Sequence, residues 1–389
     1  MRSGVTAACG FRAAGVAAGL KPGGALDVAL VVNDGPEFSA AAVVTENQVK
    51  AAPVVWTQQV VRDGSLRAVV LNSGGANACT GAAGDDDTAA TARHVAEALG
   101  LSMTDVAICS TGLIGVRLDM PPLLAGVTEA VELLAESGGA DAARSIMTTD
   151  TRPKVAEHVV DGVTIGGMAK GAGMLAPSLA TMLCVITTDA LIAPATLDAA
   201  LREATLLTFD RLDSDGCLST NDTVIALASG GSGVMVGRDL DEVSFVAGLT
   251  KVCRSLGEQL LGDAEGASKQ IEVRVEGAAS EADALVVARS IARSNLFKCA
   301  VHGEDPNWGR VLSAVGATSV AIDPNLIDVH MNGVLVCRGG SALPLEPAVD
   351  LSGERVSVGV SLAQGSAQAS VWTNDLTAAY VHENAAYST

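Results

Sequence analysis

Residues 170–189 read KGAGMLAPSLATMLCVITTD, and the change of character at their midpoint decides how the chain is built. The first half is glycine-rich and breaks at Pro177. From Thr181 onward it becomes an apolar run with threonine and β-branched residues, the pattern of a loop feeding a buried strand. The junction Ala180–Thr181 therefore sets a small residue and a hydroxyl residue at the mouth of a strand. Chains that cut themselves to expose an N-terminal Thr, Ser or Cys use this layout: the hydroxyl attacks the preceding carbonyl, and the strand holds the new terminus still. The freed α-amine, with a reference pKa of about 7.7, then serves as base for its own hydroxyl. The residues alone fit an ordinary buried strand after an ordinary loop equally well, and that arrangement is the commoner one. Gly171 to Thr188 carries no charge over eighteen residues, a length that reaches a membrane span, but Pro177 and the glycines inside it argue for a core segment.

The chain has 389 residues, enough for two domains or one large one, and 49% of them are apolar. Aromatics are only 3%, so Ala, Val, Leu and Gly fill the interior. A net charge of −19 argues against a nucleic-acid footprint or an anionic membrane surface and suits a soluble enzyme. The eight cysteines form no CxxC pair and read as reduced, mostly buried thiols of a cytosolic protein. The five histidines show no HxxxH or HxH spacing, so no zinc site is expected. Arg12 interrupts the early apolar residues before they reach signal-peptide length.

Working outward, residues 26–32 and 41–45 read as strands separated by a turn at Asn33-Asp34-Gly35-Pro36. The strand Leu66 to Leu71 runs into NSGGANACTG (72–81), which lacks the GK[ST] of a phosphate loop and reads as a tight βα loop. A helix over 85–99 would begin with three aspartates that complement its dipole. The strand 106–109 ends in Ser110-Thr111-Gly112. A Thr–Gly pair just past a strand end can aim a hydroxyl and a backbone N–H at one point, the two donors of an oxyanion hole, although such pairs are usually structural. Helices are expected over 121–136, 138–147, 193–209, 241–261 and 280–295, and a hairpin over 155–165 turning at Asp161-Gly162. Thr148-Thr149-Asp150-Thr151 is a polar stop, and Ser219-Thr220-Asn221-Asp222-Thr223 a hydrogen-bonded turn leading into a strand at 224–228. Glu265, between small residues past a helix end, can approach a ligand ammonium or simply sit in a solvated loop. The loop 302–310 reads as structural, with an Asp305/Arg310 pair and a buried Trp308. Asn332-Gly333 marks a tight hairpin, with further strands at 270–276, 355–362 and 367–372. Strands alternating with helices, and several hairpins, give a mixed α/β chain.

GAGMLAPSLATML (171–183) resembles the self-cleavage segment of the ornithine acetyltransferases, the bifunctional glutamate N-acetyltransferases of arginine biosynthesis. STGLIG (110–115), STNDT (219–223) and the DAEGA segment (263–267) carry the resemblance further, and it extends over essentially the whole chain. The resemblance implies an α-β-β-α layered sandwich with a smaller C-terminal α/β part. It implies a cut between Ala180 and Thr181, giving an α chain of residues 1–180 and a β chain of 181–389 that assemble as a heterotetramer of two of each. It implies that Thr181 carries acetyl from N-acetyl-L-ornithine to L-glutamate by a ping-pong route, with Thr111 and Gly112 as oxyanion hole. Substrate binding would fall to Thr148, Lys170, Thr181, Glu265, Asn384 and Thr389. No metal or cofactor is implied, acetyl-CoA being an alternative donor in some members, and the location is cytoplasmic. Two other readings stand beside it. The first is a DmpA-type self-cleaving aminopeptidase or amidohydrolase, which would use Ser as nucleophile, and the second is a non-catalytic small-molecule binder on the same fold.

Overall fold

A computed structural model describes residues 1–173, 182–344 and 348–386. The N-terminal part contains β1 (Phe11–Val16), β2 (Val28–Asn33), β3 (Ser39–Val44), α1 (Ala52–Val60), β4 (Ala68–Asn72), α2 (Gly81–Leu99), β5 (Val106–Ser110), α3 (Met120–Glu132) and α4 (Gly139–Ser145). It continues through β6 (Lys154–Val160), β7 (Val163–Lys170), β8 (Leu183–Thr188), α5 (Pro194–Leu206), β9 (Thr223–Ala228) and α6 (Glu242–Leu261). The C-terminal part contains β10 (Gln270–Ala278), α7 (Glu281–Ala292), α8 (Asn295–His302), α9 (Trp308–Gly316), β11 (Asp328–Met331), β12 (Val334–Arg338), β13 (Ser341–Ala342), β14 (Arg355–Ser361), β15 (Ala367–Asn374) and α10 (Ala378–Ala386).

Strands β2, β8 and β9 are buried at every position, and the reason is visible in where alternate residues go. Leu183, Val185, Ile225 and Leu227 face one cluster together with Ala29, Val31, Val69 and Leu71. Cys184, Ile186, Val224 and Ala226 face the other way, onto Leu201 of α5 and Phe245 and Leu256 of α6. Val28, Leu30 and Val70 likewise pack on Val95 of α2 and Val127 of α3. Two sheets, β1-β2-β4-β5 and β3-β9-β8-β7-β6, thus stack face to face with helices on both outer sides. That is an α-β-β-α sandwich, and a strand covered on both faces loses the polar half of its alternation. A third sheet, β13-β12-β11-β14-β10-β15, packs on α7, α8 and α9 around Phe297 and Val311 as the smaller C-terminal part.

Both expected hairpins form. Asp161 and Gly162 (φ 43° and 84°) turn β6 into β7, and Asn332 and Gly333 (φ 45° and 79°) turn β11 into β12, the left-handed pair that a two-residue turn demands. Several expectations are corrected. β1 was not foreseen, because Arg12 sits inside it with its guanidinium on exposed Asp34. β2 and β3, separated by one turn, lie in different sheets. α2 begins at Gly81, so the aspartates fall in its second turn, and Asp87 is buried against Arg117 at 2.6 Å. The helix expected over 280–295 is two helices, broken where Ser294 caps the second. Arg310 donates to the Leu296 carbonyl rather than pairing with Asp305, and Trp308 is only partly buried. Four of the eight cysteines, Cys9, Cys79, Cys217 and Cys299, are exposed. Among the described residues no helix is long and apolar enough to cross a membrane.

Candidate active site

β4 and β5 run parallel in the first sheet and end side by side, Asn72 beside Ser110. Ser110 Oγ donates to Asn72 Oδ1 at 2.6 Å, and the Thr111 N–H donates to the Asn72 carbonyl. Asn72 also binds the Gly75 carbonyl, which folds the 72–81 loop back over the end of β5. Gly112 sits at φ 131°, and a Cβ there would lie 2.8 Å from the Gly75 nitrogen, so only glycine lets these two backbones touch. The loop that the sequence showed as merely tight is the wall that fixes the Thr111–Gly112 pair.

The second sheet arrives from the other side. Lys170 closes β7, paired with Leu183 at the start of β8. Its Nζ donates to Thr111 Oγ1 at 3.3 Å. Asn221, just before β9, donates to both the Ser110 and the Ala76 carbonyls (2.8 and 2.6 Å). Its neighbour Asp222 accepts the Met182 N–H at 3.1 Å. The Asn221-Asp222 pair therefore clamps the Thr111 end of the first sheet to the point where the chain emerges from Thr181. Ala180, Thr181 and Thr389 lie outside the described residues.

Lys170 is 3% exposed, and burial lowers its pKa against the pull of Asp150, Asp222 and Glu265. Burial alone would raise Asp150, but Lys170, Lys154 and the Gly171 N–H pull its carboxyl down to about 2. Lys154, fully buried, lies between Asp150 (2.6 Å) and Asp263 (2.5 Å). Removing one member of such a triad strands a buried charge. Asp150 also accepts from the Gly171 N–H at 2.7 Å, so the triad fixes the backbone where β7 ends.

Glu265 is held by Thr149 Oγ1 at 2.7 Å and Asn384 Nδ2 at 3.1 Å, and its backbone N–H donates to the Ala172 carbonyl. A Cβ on Gly173 would come within 2.6 Å of its carboxylate, so that glycine keeps the approach open. Of the expected substrate residues, Lys170, Glu265 and Asn384 converge beside Thr111. Thr148 is adjacent, with its N–H on Asp150 Oδ2, while the hydroxyl that reaches Glu265 is that of Thr149. Asn72, Asp150, Asn221 and Asp222 were not foreseen as site residues. TTDT and STNDT, two polar clusters directly before strands, were the available signal.

The ArgJ family model matches residues 12–389. The chain is 62% identical to the arginine biosynthesis bifunctional protein ArgJ of Thermobifida fusca, over 99% of this chain and 100% of that protein. It is 58% identical to the protein of the same name from Streptomyces coelicolor, over 99% of each. It is also similar to a solved structure of ornithine acetyltransferase complexed with ornithine from Mycobacterium tuberculosis. The identity there is 60%, covering 46% of this chain and 96% of that one, with a TM-score of 0.45. With a match that runs almost end to end, the chain belongs to the ArgJ family of acyltransferases of arginine biosynthesis.

Proposed function

We propose that the chain cuts itself between Ala180 and Thr181 and that the Thr181 hydroxyl then moves acetyl from N-acetyl-L-ornithine to L-glutamate. The observation that carries this reading is the clamp made by Asn221 and Asp222. One residue grips the Thr111 strand end and the other the Met182 amide, so the nucleophile's chain and the oxyanion donors meet from two different sheets. Thr111 Oγ1 and the Gly112 N–H receive the charge of the tetrahedral oxygen. Lys170 and Glu265, an ammonium and a carboxylate facing each other across the site, take the carboxylate and ammonium ends of an amino acid, with Asn384 and Thr148 beside them. Thr389 at the tail completes the pocket. Acetyl-CoA serves as an alternative donor, no metal or other cofactor takes part, and the two chains assemble as a cytoplasmic heterotetramer of two of each.

Intact mass is the test. The protein should separate into fragments of roughly 18 and 21 kDa, the second beginning at Thr181, and Thr181→Ala should remain a single chain of 39.1 kDa. N-Acetylornithine alone should add one acetyl group to the 181–389 chain, and glutamate should remove it. Intersecting-line kinetics with no acetylated chain on rapid quench would instead make Thr181 a maturation residue. Hydrolysis of N-acetylornithine that outruns acetyl transfer would favour the aminopeptidase-like reading.

A further inference from the structure

Asp222 is fully buried at the entry to β9. Its Oδ1 is used by the Met182 N–H, while Oδ2, equally buried, has no hydrogen-bond partner among the described residues. A buried carboxylate without a compensating cation is costly, so a protein that keeps one there holds it neutral or supplies a cation. The groups facing it are the Met182 amide from β8, Ser219 from its own turn and, as the charged neighbour, Lys170 from β7. Lys170 already interacts with Asp150 and Glu265 and donates to Thr111. A second cation is therefore needed if Asp222 is to ionise.

Backbone connectivity identifies one. Three bonds separate the Met182 nitrogen from the Thr181 α-nitrogen, and standard bond lengths keep the two atoms within about 4 Å. We propose that Asp222 is the positioning residue for the Thr181 α-nitrogen, receiving the ammonium that self-cleavage creates. The proposal rests on the reading of Thr181 given above. Hydrolysis of the Ala180–Thr181 peptide by one water leaves a carboxylate on Ala180 and an ammonium on Thr181. Burial, more than any neighbour, holds the Asp222 carboxyl well above its ordinary range, so it carries a proton beforehand. As the ammonium forms, Asp222 releases that proton to solvent and becomes its anionic partner. The pair then titrates as a unit, and the amine takes the hydroxyl proton only after giving up its own.

Asp222→Asn keeps an oxygen for the Met182 N–H but cannot bear the charge. It should still be cut at Ala180–Thr181. Acetyl transfer should fall about tenfold or more, and the acid limb of its pH profile should move down by about one unit, because an amine without an adjacent anion loses its proton more readily. Infrared spectroscopy supplies a readout that does not depend on the activity of this variant. One protonated-carboxyl band should be present in uncut Thr181→Ala, absent from cut wild type, and absent from the Thr181→Ala, Asp222→Asn double variant. A protonated-carboxyl band persisting in cut wild type, or an Asp222→Asn enzyme with the wild-type acid limb, overturns the assignment while leaving the acetyl-threonine reading intact. A wild-type chain that is never cut overturns both.

Discussion

Thr111 shows how much a single hydroxyl depends on its setting. Its Oγ1 accepts from Lys170, its N–H is spent on Asn72, and its carbonyl accepts from Gly75, so the side chain has one direction left to aim. Removing one oxyanion donor typically costs 10²–10³ in kcat. Thr111→Ala should therefore slow turnover about 10²–10³-fold while leaving self-cleavage products and thermal stability near wild type, which single-turnover acetylation and calorimetry would check. Asp150 makes a second prediction at this scale. Its carboxyl lies at about 2 in the folded protein against an ordinary 3.8. A carboxyl held low in the fold contributes stability above its unfolded value and loses it as the pH falls toward its folded value. Stability should thus drop by about 2 kcal/mol between pH 5 and pH 2 through Asp150 alone. Urea titrations of wild type and Asp150→Asn across that range should converge at the acid end. If they stay parallel, Asp150 is not the group responsible.

At the scale of elements, the substrate side of the site depends on a contact between a loop and a helix far apart in sequence. Gly266 follows Glu265 with φ 62°, and a Cβ there would lie 2.2 Å from the Tyr380 nitrogen in α10. Thr377 Oγ1 also donates to the Gly266 carbonyl, which fixes the start of the helix on the same residue. Gly266→Ala should therefore push α10 away and break the Asn384–Glu265 contact. The backbone strain is on the order of 1–3 kcal/mol. The KM for N-acetylornithine should rise several-fold, while self-cleavage, set around Met182 and Asp222, continues at the wild-type rate. An unchanged KM would separate Glu265 from substrate binding.

Across the whole molecule, the site is assembled from the ends of two stacked sheets and closed by the C-terminal tail. α10 returns to Glu265 over more than one hundred residues of chain, from beyond the third sheet. Deleting Ala385–Thr389 should impair acetyl transfer more than cleavage, because the cut needs only the 174–181 segment and the clamp at Asn221 and Asp222. Cleavage timed by intact mass, alongside transfer assayed on the same preparation, would check this. Equal loss of both would make the tail a general folding element.

Several features were legible in the chain alone because their causes are local. The Asp161-Gly162 and Asn332-Gly333 hairpins follow from residues that tolerate positive φ, and the strand beginning after Thr181 follows from its apolar β-branched run. Resemblance added the names of Thr111, Lys170 and Glu265, and these three converge. Tertiary structure alone decided the rest. The β2–β3 turn gave no sign that its strands enter different sheets, because β2 is covered on both faces and its sequence shows no polar side. Nor could spacing reveal that Asn221 grips Ser110 from one hundred and eleven residues away, or that Asp222 is left with a buried oxygen to satisfy. A polar residue in a turn looks the same in sequence whether it meets water or a carbonyl from another sheet, and only packing decides which it meets.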